Sequence, residues 1–353
     1  MTTNSLTDVP GFRVGHAVVA GPDALSGTTV VLAPVGGAVA AVEVRGGGPG
    51  TRETDALDPR NVVERIDAVV LTGGSAFGLD AVGGVMAWLE EQGRGVRVGP
   101  EPRHVVPVVP AACVFDLGRG GNWLARPDAS VGRAAAEAAG AAGREVAEGN
   151  VGAGTGAVVG GLKGGVGTAS VTLASGVTVA ALAVVNAVGS PVDPYTGVLY
   201  GEYGAGPLRI PDPRIHAAAQ EQIERSRARM GLPPLNTTLA VVATDAPLSR
   251  PQAQKLAGTA HDGLARAIRP VHLMHDGDTV FALATGAHGA TETADAPGPL
   301  SPEELNDVLA AGADVVARAI VRGVRAAESV EGHTGLSGEA GGTFPSYRDL
   351  YGS

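Results

Sequence analysis

The sequence predicts a layered α/β or α+β domain with helices outside and sheets inside. Segments with a strand pattern outnumber those with a helix pattern, and the two kinds interleave without a regular strand–helix–strand alternation. Hydrophobic residues make up 44% of the 353 residues and aromatic residues only 3%, and there are 54 glycines. The core must therefore consist of Ala, Val and Leu in many short elements joined by tight glycine turns, and this apolar content excludes a disordered chain.

In the first half of the chain, strand patterns and glycine turns precede the first helix. Three short strand patterns lie at 11–19, 28–33 and 38–44. The apolar run 66–72 predicts a buried strand, which Gly73-Gly74 ends, and a helix is expected over 75–92. Prolines interrupt the strand candidate 105–115, and the alanine-rich segment 129–148 predicts a second helix.

The second half begins with a glycine-rich segment and a hairpin and ends with a long helix. Apolar runs at 171–173 and 177–185 predict the hairpin, which closes around Gly176. At the far end, Ser301 and Glu304 form a capping box that starts a helix running to about 328. The segments between are a connector at 201–213, a helix at 215–230, a strand from Thr237, a helix at 251–268 and a strand at 278–285.

Charge and cysteine content exclude several classes of protein. The net charge of −10 argues against nucleic acid or an anionic membrane as the partner. The single cysteine, Cys113, excludes an intramolecular disulfide and a cysteine-rich zinc site, and its apolar context predicts a buried, inert thiol. The N-terminus lacks the pattern of a signal peptide, and the apolar region 169–190 contains too many polar residues for a membrane span. A cytoplasmic protein without cofactor is the expectation.

The most informative segment contains Thr237. A proline-rich, loop-like stretch leads into Asn236-Thr237-Thr238, and the apolar run that follows has the pattern of a buried strand. If the bond before Thr237 were cut, its hydroxyl and a free α-amine would together form a catalyst, because an amine with a pKa of about 7.7–8.0 can take the hydroxyl proton near neutral pH. The pattern alone is weak, since 27–32 has it too and threonine favours strands.

Standard site templates fail elsewhere. Gly73-Gly74-Ser75-Ala-Phe-Gly78 fits neither a dinucleotide-binding loop nor a nucleophile elbow. Lys163 lies between glycines, but the segment lacks the spacing of a phosphate-binding loop. His272 and His275, with Asp276, suggest metal ligands, but the sequence offers no further ligand cluster beside them, and no metal is expected.

Seven segments, each weak alone, are specific in their order and joint presence. They are Arg45-Gly-Gly-Gly-Pro-Gly-Thr-Arg-Glu-Thr-Asp55, Leu71-Thr-Gly-Gly-Ser-Ala-Phe-Gly-Leu-Asp80, Gly161-Leu-Lys-Gly-Gly-Val-Gly-Thr168, Ala183-Val-Val-Asn-Ala-Val-Gly189, Asn236-Thr-Thr238, Ala260-His-Asp-Gly-Leu-Ala-Arg-Ala-Ile-Arg269 and Asp276-Gly-Asp-Thr-Val-Phe281. Through them nearly the whole chain resembles the self-processing peptidase family of the L-aminopeptidase/D-esterases, β-peptidyl aminopeptidases and nylon-oligomer hydrolases. Asn-Thr-Thr and Asp-Gly-Asp are most similar to the nylon-oligomer hydrolase branch, whereas the aminopeptidase branch typically uses serine.

The resemblance implies a fold, a maturation step and an activity. The fold is a four-layer α/β/β/α sandwich of the N-terminal-nucleophile-like type, formed by a single domain over 1–353. Self-cleavage between Asn236 and Thr237 would give a larger fragment, 1–236, and a smaller one, 237–353, which stay together. Thr237 would then be the nucleophile of an amide hydrolase that cuts small peptides or oligoamides through an acyl-enzyme.

The resemblance also assigns roles to four polar side chains, each with an ordinary structural alternative. Lys163 would be a cation that keeps the Thr237 amine neutral, or else a loop lysine that reaches solvent. Asn186 would donate to the oxyanion, or else end a strand. Asp276 and Asp278 would orient Thr237, or else form a tight turn before a strand, with Asp278 the stronger candidate.

Backbone N–H groups of Gly73, Gly74 and Ser75, at a strand-to-helix junction, are further candidates for contacts with a carbonyl or carboxylate. Close helix–strand packing would explain the same glycines.

Two other functions remain open at this point. An acyltransferase of the ornithine-acetyltransferase type would also cleave itself before threonine, and a non-catalytic binding protein could use the same fold. The low aromatic content and the resemblance together favour a homo-oligomer, with a tetramer of processed units preferred.

Overall fold

The computed structural model describes residues 2–228, 235–288, 298–332 and 342–352. Within these residues the strands are β1 Arg13–Val18, β2 Gly27–Leu32, β3 Val39–Val44, β4 Thr51–Arg52, β5 Ala68–Thr72, β6 Val96–Arg97, β7 Val105–Val106, β8 Ala111–Cys113, β9 Val158–Val159, β10 Leu162–Lys163, β11 Val166–Thr172, β12 Thr178–Val184, β13 Leu239–Thr244, β14 Thr279–Ala284, β15 Val330–Gly332 and β16 Gly342–Phe344. The helices are α1 Ser75–Gly78, α2 Ala81–Glu91, α3 Ala129–Ala141, α4 Pro213–Ala228, α5 Arg250–Ala267, α6 Pro302–Ala326 and α7 Tyr347–Tyr351.

Two five-stranded sheets form the centre of the molecule. The first has the strand order β1-β2-β5-β8-β4 and the second β11-β12-β13-β14-β3. Neighbouring strands are antiparallel except for β5 with β8 and β13 with β14, which are parallel. In the second sheet Val241 of β13 pairs with Phe281 of β14.

The apolar side chains divide into three buried layers. Val31, Leu71, Leu182 and Val241 pack together between the two sheets. The opposite face of the first sheet packs against α2 and α3, and that of the second sheet against α5 and α6. The layers are therefore helix, sheet, sheet and helix, and the predicted four-layer α/β/β/α sandwich is confirmed.

Small residues allow these layers to approach closely, which accounts for the low aromatic content. A Cβ on Gly167 of β11 would lie 2.1 Å from the carbonyl oxygen of Ala319 in α6. Likewise, a Cβ on Gly263 of α5 would lie 2.4 Å from the carbonyl oxygen of Ala313 in α6. Contacts this short exclude any side chain, so glycine is required where α6 crosses its neighbours.

The second sheet joins the parts of the chain on either side of Asn236. Strands β13 and β14 follow this residue, and they lie between β12 and β3, which precede it. Thr237 comes just before β13, at the edge where a central strand begins.

Most elements lie where the sequence predicts them, with four differences in extent. The first strand of the hairpin, expected over 171–173, is β11 and already begins at Val166. The helix expected over 75–92 is two helices, α1 and α2. Only β7 and β8 form within 105–115, since Pro107 and Pro110 cannot donate ladder hydrogen bonds. The helix expected over 129–148 ends at Ala141, because Ala142 adopts extended backbone. The last residues of the helix expected at 215–230 and the proline-rich stretch after it lie outside the described residues.

The long C-terminal helix follows its sequence signals. The Ser301 hydroxyl accepts a hydrogen bond from the Glu304 N–H at 3.2 Å, and the Glu304 carboxylate accepts one from the Ser301 N–H at 2.8 Å, so the capping box is confirmed. No helix in the described part of the chain combines the length and apolar character needed to cross a membrane.

Candidate active site

Thr237 is buried at the start of β13, with 4% of its surface exposed. Its backbone N–H donates to the carbonyl oxygen of Asn186 at 2.7 Å. Its hydroxyl donates to the carbonyl oxygen of Asn236 at 2.6 Å. The hydroxyl therefore lies against the peptide bond that the sequence predicts to be cut.

The carbonyl of Asn236 has a second donor, the backbone N–H of Gly277 at 3.2 Å. Residues 236 and 276 form an isolated parallel β-bridge, so the Asp-Gly-Asp turn runs alongside the Asn236–Thr237 bond. A Cβ on Gly277 would lie 2.6 Å from Thr237 Oγ1. Glycine is therefore needed at 277 to leave room for the hydroxyl.

Asp278 is fully buried and fixes the backbone next to Thr237. Its Oδ1 accepts a hydrogen bond from the Thr238 N–H at 2.8 Å. Its Oδ2 accepts from the backbone N–H of His272 at 3.1 Å and lies 2.8 Å from His272 Nδ1. The carboxylate thus joins the start of β13 to the His272 loop, and it reaches Thr237 through the backbone of the next residue.

Asp276 is also fully buried and holds neighbouring loops. Its Oδ2 accepts from the Leu273 N–H at 3.1 Å, and its Oδ1 accepts from the Val188 N–H at 3.4 Å. Burial, and next the nearby charge of Asp278, raise the pKa of Asp276. The two aspartates therefore belong to one site, in which Asp276 orders the segments around the Asn236–Thr237 bond.

Asn186 follows β12 and contacts Thr237 through its backbone carbonyl. Its side-chain Oδ1 accepts from Arg119 Nη1 at 2.5 Å and from the Val158 N–H at 3.0 Å. Its Nδ2 donates to the Phe115 carbonyl at 3.4 Å. In the uncleaved chain the side-chain amide group of Asn186 is thus directed to Phe115, and the backbone N–H that donates to the Asn236 carbonyl is that of Gly277.

Lys163 is fully buried on β10, so the alternative of a loop lysine that reaches solvent is wrong. Its ammonium donates to the carbonyl oxygens of Gly154 at 2.8 Å and Gly164 at 2.7 Å. Burial, and next the charge of Arg119, lower the pKa of Lys163 to about 7, against the opposite effect of Asp116. Lys163 therefore belongs to one buried charged group with Arg119 and Asp116, and its pKa lies near neutral pH.

Arg119 and Asp116 belong to the same buried group, and sequence analysis missed both. Arg119 Nη2 donates to Asn236 Oδ1 at 2.5 Å, and Nη1 also reaches the Gly156 carbonyl at 2.8 Å. Burial lowers the pKa of Arg119 to about 10, against the effect of Asp116, and burial raises the pKa of Asp116 to about 6. The available signal was two opposite charges three residues apart in an otherwise apolar, glycine-rich stretch.

The N–H groups of Gly73, Gly74 and Ser75 are all engaged within the fold. They donate to the Gly27 carbonyl at 2.8 Å, to Asp116 Oδ1 at 2.6 Å and to the Val114 carbonyl at 3.0 Å, respectively. A Cβ on Gly73 would lie 2.1 Å from Asp116 Oδ2. The expectation that these amides bind a ligand is therefore not supported by the geometry: they pack the strand–helix junction and hold Asp116.

Two minor expectations concern metal and cysteine. Within the described residues no group of three or more His, Cys, Asp or Glu side chains is arranged to hold a metal ion. His272 is instead paired with Asp278. Cys113 is buried as predicted, and burial raises the pKa of its thiol to about 12.

The chain matches proteins of one family over nearly its whole length. The model of "Peptidase family S58" matches residues 4–337. An uncharacterized aminopeptidase of Mycobacterium tuberculosis (strain ATCC 25618 / H37Rv) is 50% identical over 361 aligned residues, which cover 99% of this chain and 98% of the relative. A 6-aminohexanoate-oligomer endohydrolase of Kocuria sp. (strain KY2) is 32% identical over 288 residues, covering 79% of this chain and 74% of the relative.

The fold is also that of a solved aminopeptidase. The structure of the L-aminopeptidase D-Ala-esterase/amidase from Ochrobactrum anthropi, described as a new variant among the Ntn hydrolase fold, superposes with a TM-score of 0.68. The superposition covers 98% of this chain and 92% of the other, at 23% identity. This likeness concerns the fold, whereas the sequence matches show that the chain belongs to peptidase family S58 and is a hydrolase that acts on amide bonds.

Proposed function

We propose that the chain is an N-terminal-threonine amide hydrolase that first cuts its own Asn236–Thr237 bond. The observation that carries this proposal is the position of the Thr237 hydroxyl, 2.6 Å from the carbonyl oxygen of Asn236. The Gly277 N–H on the same oxygen is placed to stabilise the negative charge that develops there during attack.

Self-cleavage proceeds by an acyl shift. The Thr237 hydroxyl oxygen attacks the Asn236 carbonyl carbon, the C–N bond breaks, and the hydroxyl proton ends on the departing Thr237 nitrogen. The resulting ester between Asn236 and the Thr237 side chain is then hydrolysed by water. The products are a carboxylate on Asn236 and a free α-amine on Thr237.

In the cleaved enzyme the Thr237 amine acts as the general base for its own hydroxyl. Asn186 holds this amine through its backbone carbonyl, and Asp278 holds the next residue through the Thr238 N–H. The buried cations Arg119 and Lys163 favour the neutral form of a nearby amine. The acyl-enzyme formed with a substrate is released by water in the same way as the internal ester.

The relatives support small peptides or oligoamides as substrates, because one is named an aminopeptidase and another a 6-aminohexanoate-oligomer endohydrolase. We also propose that processed units assemble into a homo-oligomer, with a tetramer preferred. A cytoplasmic location suits the single buried thiol, since a reducing compartment keeps it free.

N-terminal sequencing and intact-mass measurement of the purified protein test the proposal. The wild-type chain is expected to separate under denaturing conditions into one fragment that ends at Asn236 and one that begins at Thr237. Thr237→Ala should stay full length, whereas Thr237→Ser should still cleave because it keeps the hydroxyl. An active wild-type enzyme that remains one chain contradicts the mechanism.

A further inference from the structure

The side chain of Asn236 makes a buried contact that cleavage of the Asn236–Thr237 bond does not itself need. Its Oδ1 accepts a 2.5 Å hydrogen bond from Arg119 Nη2, and both residues are buried. The other arm of the guanidinium is fixed by Asn186 Oδ1 and the Gly156 carbonyl. Asn236 Nδ2 is buried and has no hydrogen-bond partner in the described structure. Arg119 therefore binds the side-chain oxygen of Asn236, and the side-chain nitrogen of Asn236 takes no part in this contact.

In self-cleavage Asn236 is the acyl residue, and under the proposed function a substrate must later take its place. The acyl carbon of the substrate bonds to the same Thr237 oxygen, and its oxyanion must face the same Gly277 N–H. The substrate residue that carries this carbon must therefore lie where Asn236 lies in the precursor, and Asn236 must move out after cleavage. Arg119 Nη2 then faces the side chain of the substrate.

We propose that Arg119 is an acyl-side specificity residue, selecting substrates whose acyl residue carries a side-chain carboxamide or carboxylate oxygen, as asparagine and aspartate do. This inference rests on the proposed function and adds the substrate class to it. An apolar side chain of the same shape, such as leucine, leaves one arm of a buried guanidinium without an acceptor, which is unfavourable. An ammonium side chain is repelled by the same group.

The backbone of the acyl residue also has a partner. The Asn236 N–H donates to the His275 carbonyl at 3.3 Å, and the His275 side chain is exposed. The α-nitrogen of a substrate can make this bond either as a free amine or as an amide. The site thus accepts an asparaginyl or aspartyl residue at the start of a peptide.

The first test uses self-cleavage, for which residue 236 is the substrate. Asn236→Asp keeps an oxygen acceptor for Arg119, and its cleavage rate is expected to remain within about threefold of wild type. Asn236→Leu keeps the shape and loses the acceptor, and it should cleave about 10- to 150-fold more slowly, the range for a hydrogen bond to a charged group. Equal rates for the two variants overturn the proposal.

The second test compares substrates on the cleaved wild-type enzyme, and this comparison does not depend on whether a variant folds. The value of kcat/KM for L-asparagine p-nitroanilide should exceed that for L-leucine p-nitroanilide by about 10- to 150-fold. L-aspartate p-nitroanilide then distinguishes a carboxylate from a carboxamide. In Arg119→Met the preference over leucine should be lost.

The outcomes separate the inference from the proposed function. A wild-type enzyme that cleaves itself but hydrolyses the leucine anilide at least as well, or does not hydrolyse the asparagine anilide, overturns the role of Arg119 and leaves self-cleavage standing. A wild-type chain that hydrolyses amides without self-cleavage overturns the proposed function itself.

Discussion

Asp278 accepts a 2.8 Å hydrogen bond from the backbone N–H of Thr238, the residue directly after Thr237. The carboxylate thus orients the candidate nucleophile through the main chain, with its other oxygen held by His272. The hydroxyl of Thr237 instead donates its hydrogen bond to the Asn236 carbonyl. From this arrangement we propose that Asp278 is a positioning residue, which acts through the backbone at the start of β13.

We expect Asp278→Ala to fold but to cleave itself at least tenfold more slowly than wild type, because it releases the Thr238 N–H and the His272 loop together. Asp278→Asn keeps one oxygen acceptor, and its rate of self-cleavage should lie between those of wild type and Asp278→Ala. Asp8→Asn is a matched control, since it changes a buried carboxylate that bonds Ser170 in another part of the fold. The measurement is the rate of fragment appearance. Wild-type rates in Asp278→Ala would show that the hydrogen bond to Thr238 has no role in cleavage.

A second prediction concerns the space beside the hydroxyl. Gly277→Ala places a methyl group 2.6 Å from Thr237 Oγ1 and 2.8 Å from the Gly48 carbonyl, so the hydroxyl and the Gly277 N–H must both shift. Loss of one oxyanion donor typically costs about 10²- to 10³-fold in rate, and a similar loss in self-cleavage is expected. In the control Gly83→Ala the added Cβ meets nothing within 4 Å.

Time courses of both glycine variants, followed by gel, distinguish site geometry from a general effect of adding a methyl group. Gly83→Ala should cleave like wild type. Rapid self-cleavage by Gly277→Ala would show that neither the N–H nor the small size of Gly277 matters for this step.

A third prediction follows from the strand order of the second sheet. Because β13 and β14 lie between β12 and β3, the fragments on either side of the cut share a continuous ladder of hydrogen bonds and a common core. They should therefore elute together in gel filtration and separate only in denaturant.

Native mass spectrometry should show both fragments in each particle, with four processed units expected. Fragments that part in dilute buffer, or a single processed unit, would contradict this assembly.

The sequence was informative where structure is local. The apolar runs predict the central strands, and the Ser301–Glu304 capping box predicts the start of the longest helix. Asn236, Thr237, Asp276 and Asp278 are brought together as one site, since the turn at 276–278 runs beside the start of β13. Here sequence patterns and the family resemblance point to the same residues.

The remainder of the site depends on contacts between distant segments. Arg119 meets Asn186 and Asn236, which lie 67 and 117 residues further along the chain. In the sequence the Gly74 N–H is a candidate donor to a ligand, but in the fold it donates to Asp116, 42 residues away along the chain. No local pattern encodes such pairings. Gly74 meets Asp116 because β5 and β8 pair within the first sheet, whereas Arg119, which follows β8, meets Asn186 and Asn236, which flank β12 and β13 of the second sheet.

The last prediction concerns the buried ammonium of Lys163. Its pKa is lowered to about 7 in the folded protein from an ordinary value of 10.5, so between these values the unfolded chain binds the extra proton and the folded chain does not. The free energy of unfolding should therefore rise with pH above about 7, by up to about 1.4 kcal/mol per pH unit. Asp116 adds no slope in this range, because its raised pKa of about 6 lies below it.

Urea denaturation of cleavage-blocked Thr237→Ala protein between pH 7 and 9 measures this slope without interference from processing. In Thr237→Ala/Lys163→Met the free energy of unfolding should rise less steeply with pH than in Thr237→Ala, because the contribution of Lys163 is lost. The absolute stability of the double variant is not the criterion, because methionine also removes the hydrogen bonds that Lys163 donates to the Gly154 and Gly164 carbonyls. Identical slopes in the two proteins would mean that Lys163 keeps an ordinary pKa in the fold, and that it does not act as a titrating cation near Thr237.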